Sequence, residues 1–238
     1  RDAPQGQARM VIAATANIRE TLPHKVAELA LDKVLTAANP HIIGVQEWGT
    51  NRNPAMKRLA HKHGMQWTRV SGAGPIMWAD HLRLVKARPV TLARASRMGW
   101  LPGRRTHLPA SVAALAILTN EYGHETSVLN VHLTAEVQYG AGYRTDKAHR
   151  ARVRRHKREV RRIARIARNQ RRKGREVYVL GDTNFDGLRI PGLISCWQGR
   201  LVVGTLGSRA VDVVFATSPA NKVRTIATPS DHDAVSAT

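Results

Sequence analysis

Eight short apolar runs limit what this chain can fold into. They cover residues 10–16, 41–45, 110–119, 126–133, 176–180, 210–216, 223–227 and 233–237. Each has the length of a strand, and runs this short bury themselves by pairing into sheets. Between the first two, residues 21–38 predict a helix: Thr21 can cap it, Pro23 sits in its first turn, and Asn39-Pro40 stops it. Leu22, Val26, Leu29, Ala30 and Ala37 supply its apolar spacing. A second helix is predicted from an Asn53 cap through Pro54, Leu59 and Ala60 to Gly64. Strands mixed with helices from end to end, without an internal repeat or a Gly/Ser linker, predict one α/β-type domain over residues 1–238. Residues 71–109, punctuated by Gly72, Gly74, Pro75, Pro89, Pro102, Gly103 and Pro109, are expected to be loops.

With 238 residues, 42% of them hydrophobic, the chain can bury a sizeable core, which excludes the disordered and fibrous classes. No stretch reaches the roughly 18 apolar residues of a membrane span. The polar opening, residues 1–10, lacks the apolar core of a secretory signal, and since the chain opens on Arg1 an upstream segment is allowed for. Cys196 is the one cysteine, so no internal disulfide can form, and a reducing, cytoplasmic setting is the expectation.

Charge is the more pointed observation. Lys and Arg number 38 against 17 Asp and Glu, a net +21. Residues 144–175 hold 16 of those cations against Asp146 and Glu159, and so carry +14. Val153, Val160, Ile163, Ala164 and Ala167 fall on one face of this segment at helical steps, which predicts an amphipathic helix. One reading is a solvated outer helix whose arginines serve solubility. The other is a surface that tracks phosphates, with Arg154, Arg155, Arg158, Arg161, Arg162 and Arg165 as the contacts; a polyanion would relieve the self-repulsion of so many cations.

Several motifs fail when tested. Gly72-Ala73-Gly74 lacks the third glycine of a dinucleotide loop, because position 77 is Met77. His124-Glu125 has no second histidine at zinc-protease spacing, and His61 and His63 suit a helix C-terminus. Residues 182–187 match the opening of a calcium loop, but the twelfth position is Leu193 rather than Glu, and a strand precedes them. What remains is a recurring pattern of polar residues at strand ends: Asn17, Gln46-Glu47, Asn130 with His132, Asp182 with Asn184, and Ser230-Asp231-His232. Asp212 interrupts an apolar strand, where an unpaired carboxylate would cost several kcal/mol, so it requires a partner. Histidine is the natural one, since a carboxylate fixes its tautomer and raises its basicity.

Taken in order, Asn17-Ile18, Gln46-Glu47, Pro75-Ile76-Met77-Trp78, Asn130-Val131-His132-Leu133, Gly181-Asp182-Thr183-Asn184, Val211-Asp212-Val213-Val214-Phe215 and Ser230-Asp231-His232 resemble the deoxyribonuclease I-like endonuclease/exonuclease/phosphatase superfamily. The match spans essentially the whole chain. Thr183 stands where the family often has Phe, and residues 83–109 match no family segment. The resemblance implies an α/β (α+β) four-layered sandwich, two mixed β-sheets packed face to face with helices outside. It also implies a Mg²⁺ or Mn²⁺ ion beside a phosphate ester, with Glu47 as principal ligand, Asn17 nearby and Asp231 completing the metal side. Asp182 would position the attacking water or accept its proton, and Asn184 would orient that water or hold a phosphate oxygen. His232, paired with Asp212, would hold or protonate the phosphoryl group, and His132 would contact phosphate or serve the leaving oxygen.

The residue inventory suits that chemistry in its own right: Mg²⁺ prefers oxygen and needs only one or two carboxylates beside a substrate phosphate. The family spans nucleases, phosphatases and lipid phosphodiesterases, so charge has to choose the substrate. A +14 helix suits a repeating backbone better than a single headgroup. The expectation is therefore a metal-dependent nuclease hydrolysing DNA, before RNA, with little sequence specificity, acting as a monomer. Two alternatives stand beside it: a phosphatase or inositol-phosphate or phospholipid phosphodiesterase whose basic helix sits on an anionic membrane, and a non-catalytic basic module that binds nucleic acid.

Overall fold

The computed structural model describes residues 11–101, 104–138 and 147–238. The first residue of the opening apolar run, Pro102-Gly103, and residues 144–146 of the basic segment lie outside that set. β1 (Ala13–Asn17) is followed by α1 (His24–Ala38), β2 (Ile42–Gln46), a 3₁₀ turn at Thr50–Arg52 and α2 (Asn53–Lys62). Then come β3 (Met65–Thr68), β4 (Ile76–Ala79), β5 (Arg83–Ala93), β6 (Ser96–Leu101), β7 (Arg104–Leu108), β8 (Ser111–Thr119) and β9 (Glu125–His132). The basic helix α3 (Lys147–Arg171) leads into β10 (Glu176–Asp182), β11 (Ile194–Ser195), β12 (Asp212–Ala216), β13 (Val223–Ile226) and β14 (Ala234–Ala237).

Two six-stranded mixed sheets result, ordered β13-β14-β1-β2-β4-β3 and β11-β12-β10-β9-β8-β5, with β6 and β7 forming a hairpin. Alternation along each strand sorts residues between the layers. In the first sheet Ala14, Ala16, Ile43, Val45 and Met77 face outward and pack with Ala27, Leu31, Val34 and Leu35 of α1 and Met56 and Leu59 of α2. Ala13, Ile42, Ile76, Trp78 and Val235 belong instead to the larger core, with Leu129, Leu180 and Val214 of the second sheet and Ile163, Ala164 and Ala167 of α3. The order is thus helices, sheet, sheet, helix: the four-layered sandwich expected.

Asn130 of β9 pins the two sheets together. Its Nδ2 donates to the carbonyl oxygens of Val45 at 2.9 Å and Pro75 at 2.8 Å, while its Oδ1 accepts from Gln46 Nε2. This close approach explains two glycines: a Cβ on Gly44 would meet Asn130 Oδ1, and one on Gly74 would run into the Val45 carbonyl. Gly74, one of the residues that failed as a dinucleotide loop, is therefore there for packing.

Several sequence expectations need correction. Residues 71–109 are largely strand, not loop: β5 runs eleven residues with Pro89 inside it. β5 is the last strand of its sheet and pairs on one side only, so a missing N–H is tolerated there. α1 begins at His24 behind Pro23, with no side-chain cap from Thr21, and its buried stripe is Ala27, Ala30, Leu31, Val34, Leu35 and Ala38, leaving Leu29 65% exposed. Asn53 is the first residue of α2 rather than its cap. His63 is tied to Asp32, Nε2 to Oδ1 at 2.6 Å, a structural role that agrees with its place at the helix end.

Candidate active site

The strand pattern brings polar side chains to one edge of the sandwich. β1 and β2 run parallel with Asn17 opposite Gln46, and β9 and β10 run parallel with His132 opposite Asp182, so all four lie at C-terminal strand ends. β12 runs antiparallel to β10 and sets Asp212, its first residue, opposite Asp182. β14 is antiparallel to β1, which brings Ser230-Asp231-His232, just ahead of it, back to the same edge. Residues directly opposite in a ladder share a face, so His132, Asp182 and Asp212 form a row.

Contacts tie the row into one cluster. Asn17 Nδ2 donates to Asp182 Oδ2 at 3.0 Å and to Glu47 Oε1 at 3.3 Å, bridging the sheets. His132 Nε2 lies 3.5 Å from Asp182 Oδ2 and 3.9 Å from Glu47 Oε1. Asp182 Oδ1 accepts from the Asn184 backbone N–H at 2.7 Å, while Asn184 Nδ2 donates to the Leu133 carbonyl. Asp212 finds the histidine its burial demands: His232 Nδ1 sits 2.7 Å from Asp212 Oδ2. Glu47 and Asn184 both adopt left-handed backbone, φ 55° and 50°, a conformation that side chains other than glycine tolerate only where the surroundings enforce it.

Electrostatics separates the carboxylates. Asp182 is pushed up to about 6, first by burial and then by the Asp212 charge, against the opposing pull of His132 and His232. Burial pulls the His232 pKa down, but the Asp212 hydrogen bond and the charges of Asp212, Asp182 and Asp231 outweigh it and hold His232 at about 9. At neutral pH His232 is charged, with Nδ1 held against Asp212.

Two sets of donors could hold a cation. Asn17 Oδ1 is buried with no hydrogen-bond partner among the described residues, on a side chain whose Nδ2 reaches the half-buried carboxylate of Glu47. An orphaned amide oxygen on a residue in contact with a carboxylate is what a hard cation would complete. Asp182, Asp212 and His232 also offer atoms within 4.8 Å of one another. There His232 Nδ1 and Asp212 Oδ2 already satisfy each other, although Asp212 Oδ1 is likewise buried with no partner among the described residues, and the set includes a ring nitrogen where a hard cation prefers oxygen. The oxygen pair of Asn17 and Glu47 is the better fit.

Beside these residues opens a cleft of about 670 Å³, lined by Glu47, Trp48, His132, Arg69 and Arg152 among others. No protein-family model matches the chain, and no curated protein matches it in sequence. Solved structures do match. An endonuclease/exonuclease/phosphatase from Bacteroides vulgatus superposes with a TM-score of 0.71 at 15% identity, over 95% of this chain and 97% of that one. The chain has the endonuclease/exonuclease/phosphatase fold. A mannosyl-6-phosphatase of Bacteroides thetaiotaomicron shares it, at TM-score 0.67 and 13% identity over 96% of this chain and 99% of that one. So does D. rerio TDP2 complexed with a single strand DNA product, at 0.63 and 15% over 95% and 97%.

Within this fold, seven of the eight residues singled out by sequence meet at close range: Asn17, Glu47, His132, Asp182, Asn184, Asp212 and His232. Asp231 reaches the same edge, 45% exposed and 3.5 Å from Arg19 Nη1. Arg154, Arg158, Arg161, Arg162 and Arg165 lie exposed along α3, but Arg155 does not. It is buried, donates to Glu159 Oε1 at 3.2 Å and reaches the Pro109 carbonyl, so it belongs to the scaffold and not to a phosphate-binding face. Sequence reasoning also passed over His156 and Glu159, buried on the inner side of α3. The available signal was a lone glutamate in a run of arginines at i, i+4 from Arg155.

Proposed function

We propose that the chain is a divalent-metal-dependent phosphoester hydrolase whose substrate is nucleic acid, DNA before RNA, cut with little sequence preference. The observation that carries this reading is the buried Asp212–His232 pair set beside Asp182, with Asn17 and Glu47 completing the cluster across the two sheets.

Asn17 Oδ1 and Glu47 would hold Mg²⁺ or Mn²⁺, with Asp231 as a further carboxylate on that side. The ion, when bound, supplies charge neutralisation at the phosphate. Asp182, ionised above pH 6, accepts a proton from the attacking water, and Asn17 Nδ2 and the Asn184 N–H fix its two oxygens so that it points one way. Asn184 orients that water or holds a phosphate oxygen. His232, charged at neutral pH, places a donor against a phosphoryl oxygen, and Asp212 fixes its tautomer and ring orientation. His132, half-exposed at the mouth of the cleft, serves the leaving oxygen.

Support for nucleic acid is electrostatic. Arg152 lines the cleft, and the exposed arginines of α3 continue the positive surface along a helix of about 37 Å, estimated from 25 residues at the helical rise. A track of that length matches successive phosphates rather than one headgroup. The DNA product bound to TDP2, a protein of the same fold, agrees with this choice. The test is supercoiled plasmid with Mg²⁺, Mn²⁺ or chelator, run beside phosphoinositide liposomes. Metal-dependent nicking, lost with chelator and in Asp182→Ala, is expected; turnover of the liposomes alone would overturn the choice of substrate.

A further inference from the structure

The basic helix has an inner side that the phosphate-binding reading leaves unused. Arg155, His156 and Glu159 are all buried there, between the exposed cations Arg154, Arg158, Arg161 and Arg162. Each holds a loop. His156 Nε2 lies 2.9 Å from the carbonyl oxygen of Thr183, the residue between Asp182 and Asn184, and its ring stacks on Phe185 with centroids 5.5 Å apart. A carbonyl can only accept, so Nε2 carries the proton and donates. Glu159, with no exposed surface, takes the Thr134 backbone N–H on Oε2 at 3.0 Å and the Thr134 hydroxyl on Oε1 at 2.7 Å, two residues beyond His132. Arg155 pairs with Glu159 and extends the brace to the Ser96 hydroxyl and the Pro109 carbonyl.

The two braced loops are themselves joined, because Asn184 Nδ2 donates to the Leu133 carbonyl at 3.0 Å. Thr183 is also gripped from the far side, its hydroxyl donating to the Val211 carbonyl at 2.8 Å, one residue before Asp212. Asp182, Asn184 and His132 are thus set by a frame whose outer wall is α3. We propose that His156 and Glu159 are positioning residues for hydrolysis, so that the helix that tracks the phosphate backbone also fixes the geometry of the catalytic loops. The inference rests on the reading of the site given above. Neither residue touches substrate; each acts through the main chain beside a residue that does.

The test separates placement from binding and from folding. His156→Leu keeps volume and removes the donor, while His156→Gln restores an N–H at similar reach. On duplex DNA, His156→Leu should lower kcat by about tenfold to a hundredfold, the scale of a small misplacement at a reacting centre, with KM and its salt dependence kept. His156→Gln should recover most of that loss. Amide hydrogen exchange at Asn184, whose N–H is held by Asp182, should be faster by about tenfold in His156→Leu and near wild type in His156→Gln, corresponding to about 1.4 kcal/mol of local opening. Thr134→Val, which deletes only the hydroxyl bond to Glu159, should give the same drop in kcat at constant KM and keeps the question open to decision if His156→Leu does not fold. An unchanged kcat in the folded variants, a glutamine no better than leucine, or unaltered exchange at Asn184 would overturn the proposal. Should wild type hydrolyse no phosphoester, the functional reading fails, and the exchange data still decide whether α3 braces the loop.

Discussion

Asp212 and His232 show how one buried pair can set the working pH of a site. A carboxylate with no exposure is tolerable because an imidazolium lies 2.7 Å away, and that imidazolium keeps its proton to about 9 because the carboxylates surround it. Asp182 is held up at about 6 in the same cluster. If Asp182 must be ionised and His232 protonated, kcat/KM rises with pH through about 6 and falls through about 9. In Asp212→Asn the upper limb should move down toward 6.5, the ordinary histidine value, and the maximum rate should fall by about 10² to 10⁴, the range for losing one acid–base partner. A pH–rate profile of the two proteins checks this, and an upper limb unmoved by the substitution would contradict it. Stability follows the same sign: the raised His232 pKa stabilises the fold fully below about 6.5, and that contribution is lost as pH climbs through 9. Much of this was legible in the chain, because a carboxylate in an apolar strand demands a partner. The left-handed backbone at Glu47 was not, since glutamate carries no preference for it, whereas at Asn184 the residue type does favour it.

Among the elements, the joint between the sheets depends on Asn130. Asn130→Ala would take away the Val45 carbonyl's and the Gln46 amide's bonds to Asn130, each such buried group costing about 1–3 kcal/mol, while the Pro75 carbonyl keeps the Val45 N–H. Thermal or urea unfolding should register a loss of at least about 2 kcal/mol, while Glu121→Ala, exposed in a surface turn, should change little. The strands that carry the site were readable from their apolar runs, and α3 from its stripe. The β5 strand and the β6–β7 hairpin were not. Their prolines and glycines read as loop, and half of β5 is exposed, so its alternation is blurred by charged residues such as Arg83, Lys86 and Arg88. The register of α1 slipped for a related reason: alanines fill its inner stripe against Ala14 and Ala16, and alanine marks burial poorly beside Leu29. α3 offers its own test of charge. Reversing Arg158, Arg161 and Arg165 together should flatten the dependence of log K for duplex DNA on log salt by roughly 2 to 3, at about 0.9 per phosphate contact, with turnover of a small diester kept. An unaltered salt slope would remove α3 from the interface.

At the scale of the molecule, the net charge of +21 and the placement of the cluster act together. Two parallel strand pairs deliver Asn17, Glu47, His132 and Asp182 to one edge, antiparallel neighbours return Asp212 and His232 to it, and a cationic helix runs past its mouth. On the proposed function, that field would draw in a polyanion, and the cluster would act on the phosphate that arrives. On the proposed function, Glu47, just beyond a strand of one sheet, and His232, held by Asp212 of the other, work on a single bond. A double-mutant cycle tests it most directly, with kcat/KM for Mg²⁺-supported nicking measured in Glu47→Gln, His232→Ala and the protein carrying both. Groups that act as a unit are far from additive, so the double variant should be no slower than the worse single variant to within about tenfold. Losses that multiply, or a single variant that keeps wild-type rate, would contradict the account.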